Sequence, residues 1–244
     1  MHLKSRLKKI PGLVTLVRMA RILFIPAYRS EWLLRREKPD NLFQPVTLTR
    51  LNRYPRIFTF VQEQLSAVEA PRLLSFGCST GEEVFTLRRY FPQAEIVGLD
   101  INRRSIETCR KRQKRSGDAH IRFEWAASAS GEPDESYDAI FCMAVLRHGD
   151  AGVSRPDDCT HLIRFEDFER TVEEFCRLLK PGGYLTICHS NFRFADTGIA
   201  ADFEVVPGIE PVQPTEATPL YGRDNRLLAN AFYDDTVFRK RKAG

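Results

Sequence analysis

A chain of 244 residues has room for one full core and some tens of residues beyond it. With 43% hydrophobic and 28% charged residues it has an ordinary globular composition, which excludes a disordered or fibrous chain. The net charge of +5 sits in the amino-terminal arm: residues 1–38 hold ten Lys/Arg against Glu31 and Glu37, which leaves −3 for the rest. The six cysteines (Cys78, Cys109, Cys142, Cys159, Cys176, Cys188) form no C-x-x-C or Cys/His spacing. No metal site is therefore expected, and the pattern is that of a reduced, cytoplasmic protein.

Residues 1–45 read as a basic helical arm. Leu13, Leu16, Val17, Ala20 and Phe24 keep helical spacing with Lys and Arg between them. The arm is expected to cap the domain and expose its charges. The other reading is contact with an anionic membrane surface or an acidic partner, which would make the protein membrane-peripheral. Pro11, Arg18, Arg21 and Pro26 interrupt the apolar stretch from Ile10 to Ala27, against a secretory signal or a membrane span.

Residues 46–244 read as the domain. A segment containing Thr49 and Arg53 leads into a helix whose apolar face is Ile57, Phe60, Val61 and Leu65. Next comes a short buried strand, Leu73–Phe76, the loop Gly77-Cys78-Ser79-Thr80-Gly81, and an amphipathic helix to about Phe91. A second strand, Glu95–Leu99, ends on Asp100, about twenty residues past the loop. There a carboxylate can take both hydroxyls of a ribose. The loop lacks the central glycine that admits a pyrophosphate, and Glu82 and Glu83 open its helix. Two carboxylates at a helix start repel a phosphate chain and suit a ligand with ammonium and sulfonium charge. S-adenosylmethionine fits this better than NAD.

A helix from about Asn102 to Ser116 holds seven basic residues against Glu107. It has no interleaved aromatics and no nucleic-acid-binding motif, so a solvated face is expected and no nucleic-acid partner is predicted. Ile121–Ala126 reads as a third strand, Pro133–Ser136 as a turn and Tyr137–Met143 as a buried strand. A polar loop from Arg147 to about Leu162 precedes a helix from Glu166 to Leu179. Lys180-Pro181-Gly182-Gly183 then turns the chain into the strand Tyr184–Cys188. Phe203–Val206 and Thr236–Arg239 are further strand candidates. The alternation predicts an α/β fold: a Rossmann-like, doubly wound, seven-stranded sheet, mostly parallel with an antiparallel edge, preceded by the helical arm.

With these residues in view, the chain resembles the class I S-adenosylmethionine-dependent methyltransferases. Within that class it is most similar to the CheR-type chemotaxis receptor methyltransferases. Gly77-Cys-Ser-Thr-Gly-Glu-Glu83 resembles their cofactor loop, Tyr137–Cys142 their fourth strand, and Leu178–Gly183 with His189-Ser190 their turn and fifth strand. Thr49 and Arg53 resemble a T-x-x-x-R pair that reaches over the cofactor. The resemblance implies that Arg53 holds the methionine carboxylate and Glu82 the ammonium group, that Asp100 takes the ribose hydroxyls, and that Ile101 lies beside the adenine. Gly77, Cys78, Ser79 and Gly81 would shape the loop, with Ala126, Ala127 and Met143 completing the cofactor site. The family places Arg-Asn after its fourth strand where this chain has Met143-Ala144, and the stretch between the second and third strands is too short for the receptor-docking antiparallel insertion. The cofactor site is carried over; the receptor substrate is not.

A carboxylate acceptor is already anionic and needs no base, whereas a hydroxyl or amine does. His148, just past the fourth strand, is the candidate base, and Arg147 beside it is the candidate for orienting an acidic acceptor. His161 and His189 rank behind them. The Asn/Asp-Pro-Pro-Tyr tetrapeptide is absent after Met143, against exocyclic or amide nitrogen acceptors. The expected function is methyl transfer, in line, to an oxygen or nitrogen acceptor of unknown identity. The alternatives are a CheR-like protein glutamate O-methyltransferase and a binding module that holds the cofactor without turnover.

Overall fold

A computed structural model describes residues 13–209, 218–229, 231, 233 and 235–242. The first twelve residues of the expected arm and residues 210–217 of the tail lie outside the described residues.

The apolar runs pair into one seven-stranded sheet: β1 (Arg72–Phe76), β2 (Glu95–Asp100), β3 (Ile121–Trp125), β4 (Tyr137–Met143), β5 (Leu179–Cys188), β6 (Phe203–Val205) and β7 (Val237–Lys240). Their order is β3-β2-β1-β4-β5-β7-β6. The first five are parallel neighbours, and β7 runs antiparallel to both β5 and β6. This is the expected doubly wound sheet with an antiparallel edge, preceded by two helices, α1 (Leu13–Phe24) and α2 (Pro26–Glu37).

The sheet sits between two apolar layers because successive strand residues point to opposite faces. Leu74, Ile140 and Leu185 face Phe168, Val172 and Phe175 of α7 (Phe165–Leu178) in one core. Leu73, Ile96 and Ile121 face α3 (Pro55–Gln64), α4 (Glu82–Tyr90) and α5 (Arg103–Ser116) in the other. Every residue of β4 is buried, as befits a central parallel strand covered on both faces. The spacing of Phe165, Phe168, Val172, Phe175 and Leu178 at three and four residues gives α7 one continuous apolar stripe.

Two local expectations differ from what is observed. Lys180–Gly183 is not a separate turn before the fifth strand. It lies within β5, where the pairing jumps from Tyr137↔Leu179 to Ala139↔Tyr184, so the extra residues bulge opposite Asp138. Lys180 Nζ reaches both Asp138 oxygens (2.8 and 2.9 Å), which holds the bulge in place. The polar loop after β4 contains a short helix, α6 (Gly149–Ser154).

The two arm helices behave differently. In α2, Leu34 is buried, Ser30 Oγ accepts from Asn102 Nδ2 (3.1 Å), Glu31 accepts from the Thr47 amide (3.2 Å) and Arg35 pairs with Asp150 (2.7 Å). The expected cap is therefore α2 alone. Leu16, Val17, Met19, Leu23 and Phe24 of α1 stand in solvent, with α2 as the helix's main neighbour.

Candidate active site

The carboxyl ends of β1, β2 and β4, roofed by the chain between α2 and α3, enclose a cleft of ≈ 950 Å³ including its mouth. Glycine makes the floor. Gly77 has φ +72, and a Cβ there would fall 2.4 Å from Val145 Cγ2, so the backbone must pass bare. The amides of Gly77 and Cys78 both donate to Leu99 O (2.8 and 2.9 Å), which bolts the loop onto the end of β2.

That bolt sets Asp100 against the loop. Ser79 N donates to its Oδ2 and Asn102 N to its Oδ1, each at 2.7 Å, so both oxygens are fixed and keep lone pairs for further donors. Burial pushes its pKa up to about 6, against the two amides, which lower it. The Ser79 hydroxyl, also in the cleft wall, is buried without a hydrogen-bond partner.

Of the sequence-predicted cofactor residues, Thr49, Arg53, Gly77, Cys78, Ser79, Asp100, Ile101, Ala126, Ala127 and Met143 line this cleft. Gly81 and Glu82 do not. Gly81 caps α4 with φ +91. Glu82 turns away to Arg112 Nη1 (2.7 Å) on α5 and to the Thr80 hydroxyl (2.6 Å). The carboxylate in the wall is that of Glu83, one residue on. It accepts from Ser75 Oγ (2.7 Å), and burial pushes its pKa up to about 8, opposed by the Ser75 hydrogen bond and the charge of Arg53. Arg53 donates to Leu48 O (3.2 Å) and lies over the Tyr54 ring. Ala144, also in the wall, has φ +61, a left-handed conformation that Asn tolerates better than Ala.

The predicted catalytic pair is split from the cleft. His148 caps α6, its Nδ1 accepting from Asp150 N (3.2 Å) while its own amide donates to Asn191 Oδ1 (2.7 Å). It faces a different cavity, shared with Arg35 and His161 on the α2 side. Arg147 is half-buried and does not line the cleft, yet it is close enough to Tyr54 and Arg53 for their charges to affect it. Its Nε is buried without a hydrogen-bond partner, and no carboxylate among the described residues pairs with it.

His189, expected to rank behind His148, reaches both Tyr54 of the cleft wall and a second cavity. It follows β5 with φ +55, its ring packs 6.0 Å from that of Tyr54, and Tyr54 lines the cleft. On its other side His189 lines that second cavity (≈ 1140 Å³) with Phe192, Leu220, Leu228 and Tyr233 among its walls. Burial, helped by Arg147 and Arg53, lowers its pKa to about 4, so the imidazole is neutral at pH 7. The Tyr54 hydroxyl between the cavities is buried and unpartnered. Sequence reasoning also missed Leu34, Phe43 and Asn102 in the cleft wall; the N-cap pattern of Asn102 was the one readable signal.

The family described as "Methyltransferase domain" matches residues 68–217. The chain belongs to it. The fold and this match together make it a class I S-adenosylmethionine-dependent methyltransferase domain. A fatty-acid O-methyltransferase of Mycolicibacterium smegmatis is 28% identical over 175 residues, 66% of this chain and 57% of that protein. A trans-aconitate 2-methyltransferase of Methylobacterium radiotolerans is 32% identical over 121 residues, 49% of this chain and 38% of that one. Among solved structures, a coclaurine N-methyltransferase aligns with 12% identity and a TM-score of 0.41 over 55% of this chain and 35% of its own. The chain spans between 31% and 57% of the length of three curated relatives it matches, these two among them. None of these relatives is a chemotaxis methyltransferase, so the resemblance holds at the level of the class.

Proposed function

We propose that this domain transfers a methyl group from S-adenosylmethionine to an anionic oxygen, a carboxylate, at the carboxyl edge of the sheet. The observation that carries the reading is the set of three ionisable groups in one cleft: Asp100 fixed by two amides, Glu83 and Arg53. The cofactor supplies an electrophilic methyl group on a sulfonium. Asp100 and the orphaned Ser79 hydroxyl are suited to ribose hydroxyls, Arg53 to a carboxylate and Glu83 to an ammonium group. Ile101, Ala126 and Ala127 offer an apolar slot for a base, and Thr49, Gly77, Cys78 and Met143 complete the wall. Gly81 and Glu82 keep the loop in shape from outside.

Beyond the cleft, Arg147 and neutral His189 suit an anion, and a carboxylate needs no proton removed before attack. Positioning is then the main catalytic resource, worth up to roughly 7–11 kcal/mol in well-oriented systems. The names of the two relatives, fatty-acid and trans-aconitate methyltransferases, support an acid as acceptor. A protein glutamate, the acceptor implied by the chemotaxis resemblance, offers the same chemistry at larger size. Six free thiols support a reducing, cytoplasmic setting, and the basic arm adds contact with an anionic surface.

Release of S-adenosylhomocysteine is to be measured with long-chain fatty acids, small dicarboxylic acids and glutamate-containing peptides. Turnover with one of the acids supports the reading. Cofactor binding with no turnover on any lysate fraction makes the domain a binding module, and absence of binding removes the enzyme altogether.

A further inference from the structure

Most of the described apolar side chains of α1 stand in solvent; Ile22 is half-buried. Phe24 is 81% exposed, Leu16 65% and Leu23 64%, and Val17, Met19 and Ile25 are exposed beside them. At 100° per residue, Met19, Leu23, Leu16, Ala20, Phe24 and Val17 form one broad arc; Arg18 lies opposite it, and Arg21 flanks it beside Val17 with its guanidinium over the Tyr28 ring of α2. A contiguous apolar patch of this kind on a folded domain marks a surface that meets something.

The charge around it decides what. Residues 1–38 carry a net +8, with Lys4, Arg6, Lys8 and Lys9 in the segment just before the helix. A second copy of the chain would bring +8 against +8, so self-association through α1 is disfavoured. A helix with a wide apolar arc and a narrow basic face suits an interface where apolar side chains sink below a layer of negative headgroups. No helix among the described residues is long and apolar enough to cross a membrane, so contact is in the plane of the surface.

We propose that α1 docks this protein onto an anionic lipid surface, with Leu16, Met19, Leu23 and Phe24 inserted and Arg18 and Arg21 toward the headgroups. The contact bears on the cleft through α2. Leu34 of α2 is part of the cleft wall, and Ser30, Glu31 and Arg35 tie α2 to Asn102, Thr47 and Asp150. The arm thus joins the lipid surface to the roof of the cofactor cleft, whatever the acceptor is.

The test is co-sedimentation of the full chain with phosphatidylcholine vesicles with and without phosphatidylglycerol. The expected result is about tenfold or greater preference for the anionic vesicles, falling as salt is raised. The double variant Leu16→Asp/Phe24→Asp should lose vesicle binding by about tenfold or more, because two charges replace the inserted anchors. Its melting temperature and S-adenosylmethionine affinity should stay at the wild-type values, since neither residue lines the cleft. Arg18→Glu/Arg21→Glu should remove the preference for anionic lipid. Equal binding to both vesicle types, no binding to either, or a wild-type dimer that the aspartates convert to monomer would each overturn the proposal.

Discussion

The carboxyl edge of the sheet has two halves of opposite electrical character. The β1–β2 half presents the acids Glu83 and Asp100 to the cleft together with Arg53; on the β4–β5 side stand His189, which lines the second cavity, and Arg147, a half-buried cation near Arg53 and Tyr54. In each half burial pushes the groups toward neutrality: the Glu83 pKa rises to about 8 and that of Asp100 to about 6, while that of His189 falls to about 4. Each half therefore favours a ligand that restores the missing counter-charge. A cation on the first side and an anion on the second is the arrangement that the proposed transfer from a sulfonium to a carboxylate requires.

The contrast is broken most severely at Asp100. Asp100→Ala should weaken S-adenosylmethionine binding by about 100-fold or more in calorimetry, because two hydrogen bonds to a charged group contribute about 1.5–3 kcal/mol each. Next is Arg147→Met, which should raise KM for a carboxylate acceptor by about tenfold or more while leaving cofactor affinity within about twofold. A change in cofactor affinity instead would place Arg147 in the first half.

The comparison sharpens at the neighbouring glutamates. Glu83→Gln should cost about tenfold in cofactor affinity, whereas Glu82→Gln should cost less than about threefold, since Glu82 faces Arg112. The pH dependence has a defined sign. A Glu83 that is protonated below about pH 8 must lose its proton to hold an ammonium group, so affinity should rise from pH 6 to about pH 8 and then level off. The Glu83→Gln variant should lose this rise. Without ligand the raised Glu83 pKa works the other way. The folded state holds the proton more tightly than the unfolded chain, so this stabilisation is full below the unfolded value and lost as pH rises through about 8. The smallest effect is expected at His148→Ala, about 1 kcal/mol of stability from a lost helix cap, with turnover unchanged.

The first half of the edge was readable because its signals are local. Gly77 answers to its own φ, and the spacing from the loop to Asp100 is set by one helix and one strand. The choice between Glu82 and Glu83 was not readable. One residue turns a helix by 100°, and the partner that draws Glu82 away is Arg112, thirty positions on. His148 stands at the expected edge in sequence, but the six residues after it form a helix whose amide it caps. His189 gains its position only from the packing of Tyr54, which lies 135 positions earlier in the chain. The α1 pattern was seen correctly as amphipathic, but periodicity is the same whether a helix buries its stripe or leaves it in water.

The most direct test is a calorimetric titration of the full chain with S-adenosylmethionine and, separately, with NADH. The expected result is one saturable site for S-adenosylmethionine that Asp100→Ala weakens by about 100-fold or more, with no heat from NADH. Binding of NADH with none of S-adenosylmethionine, or cofactor binding indifferent to Asp100, would contradict the assignment of the acidic half of the edge to a cationic donor.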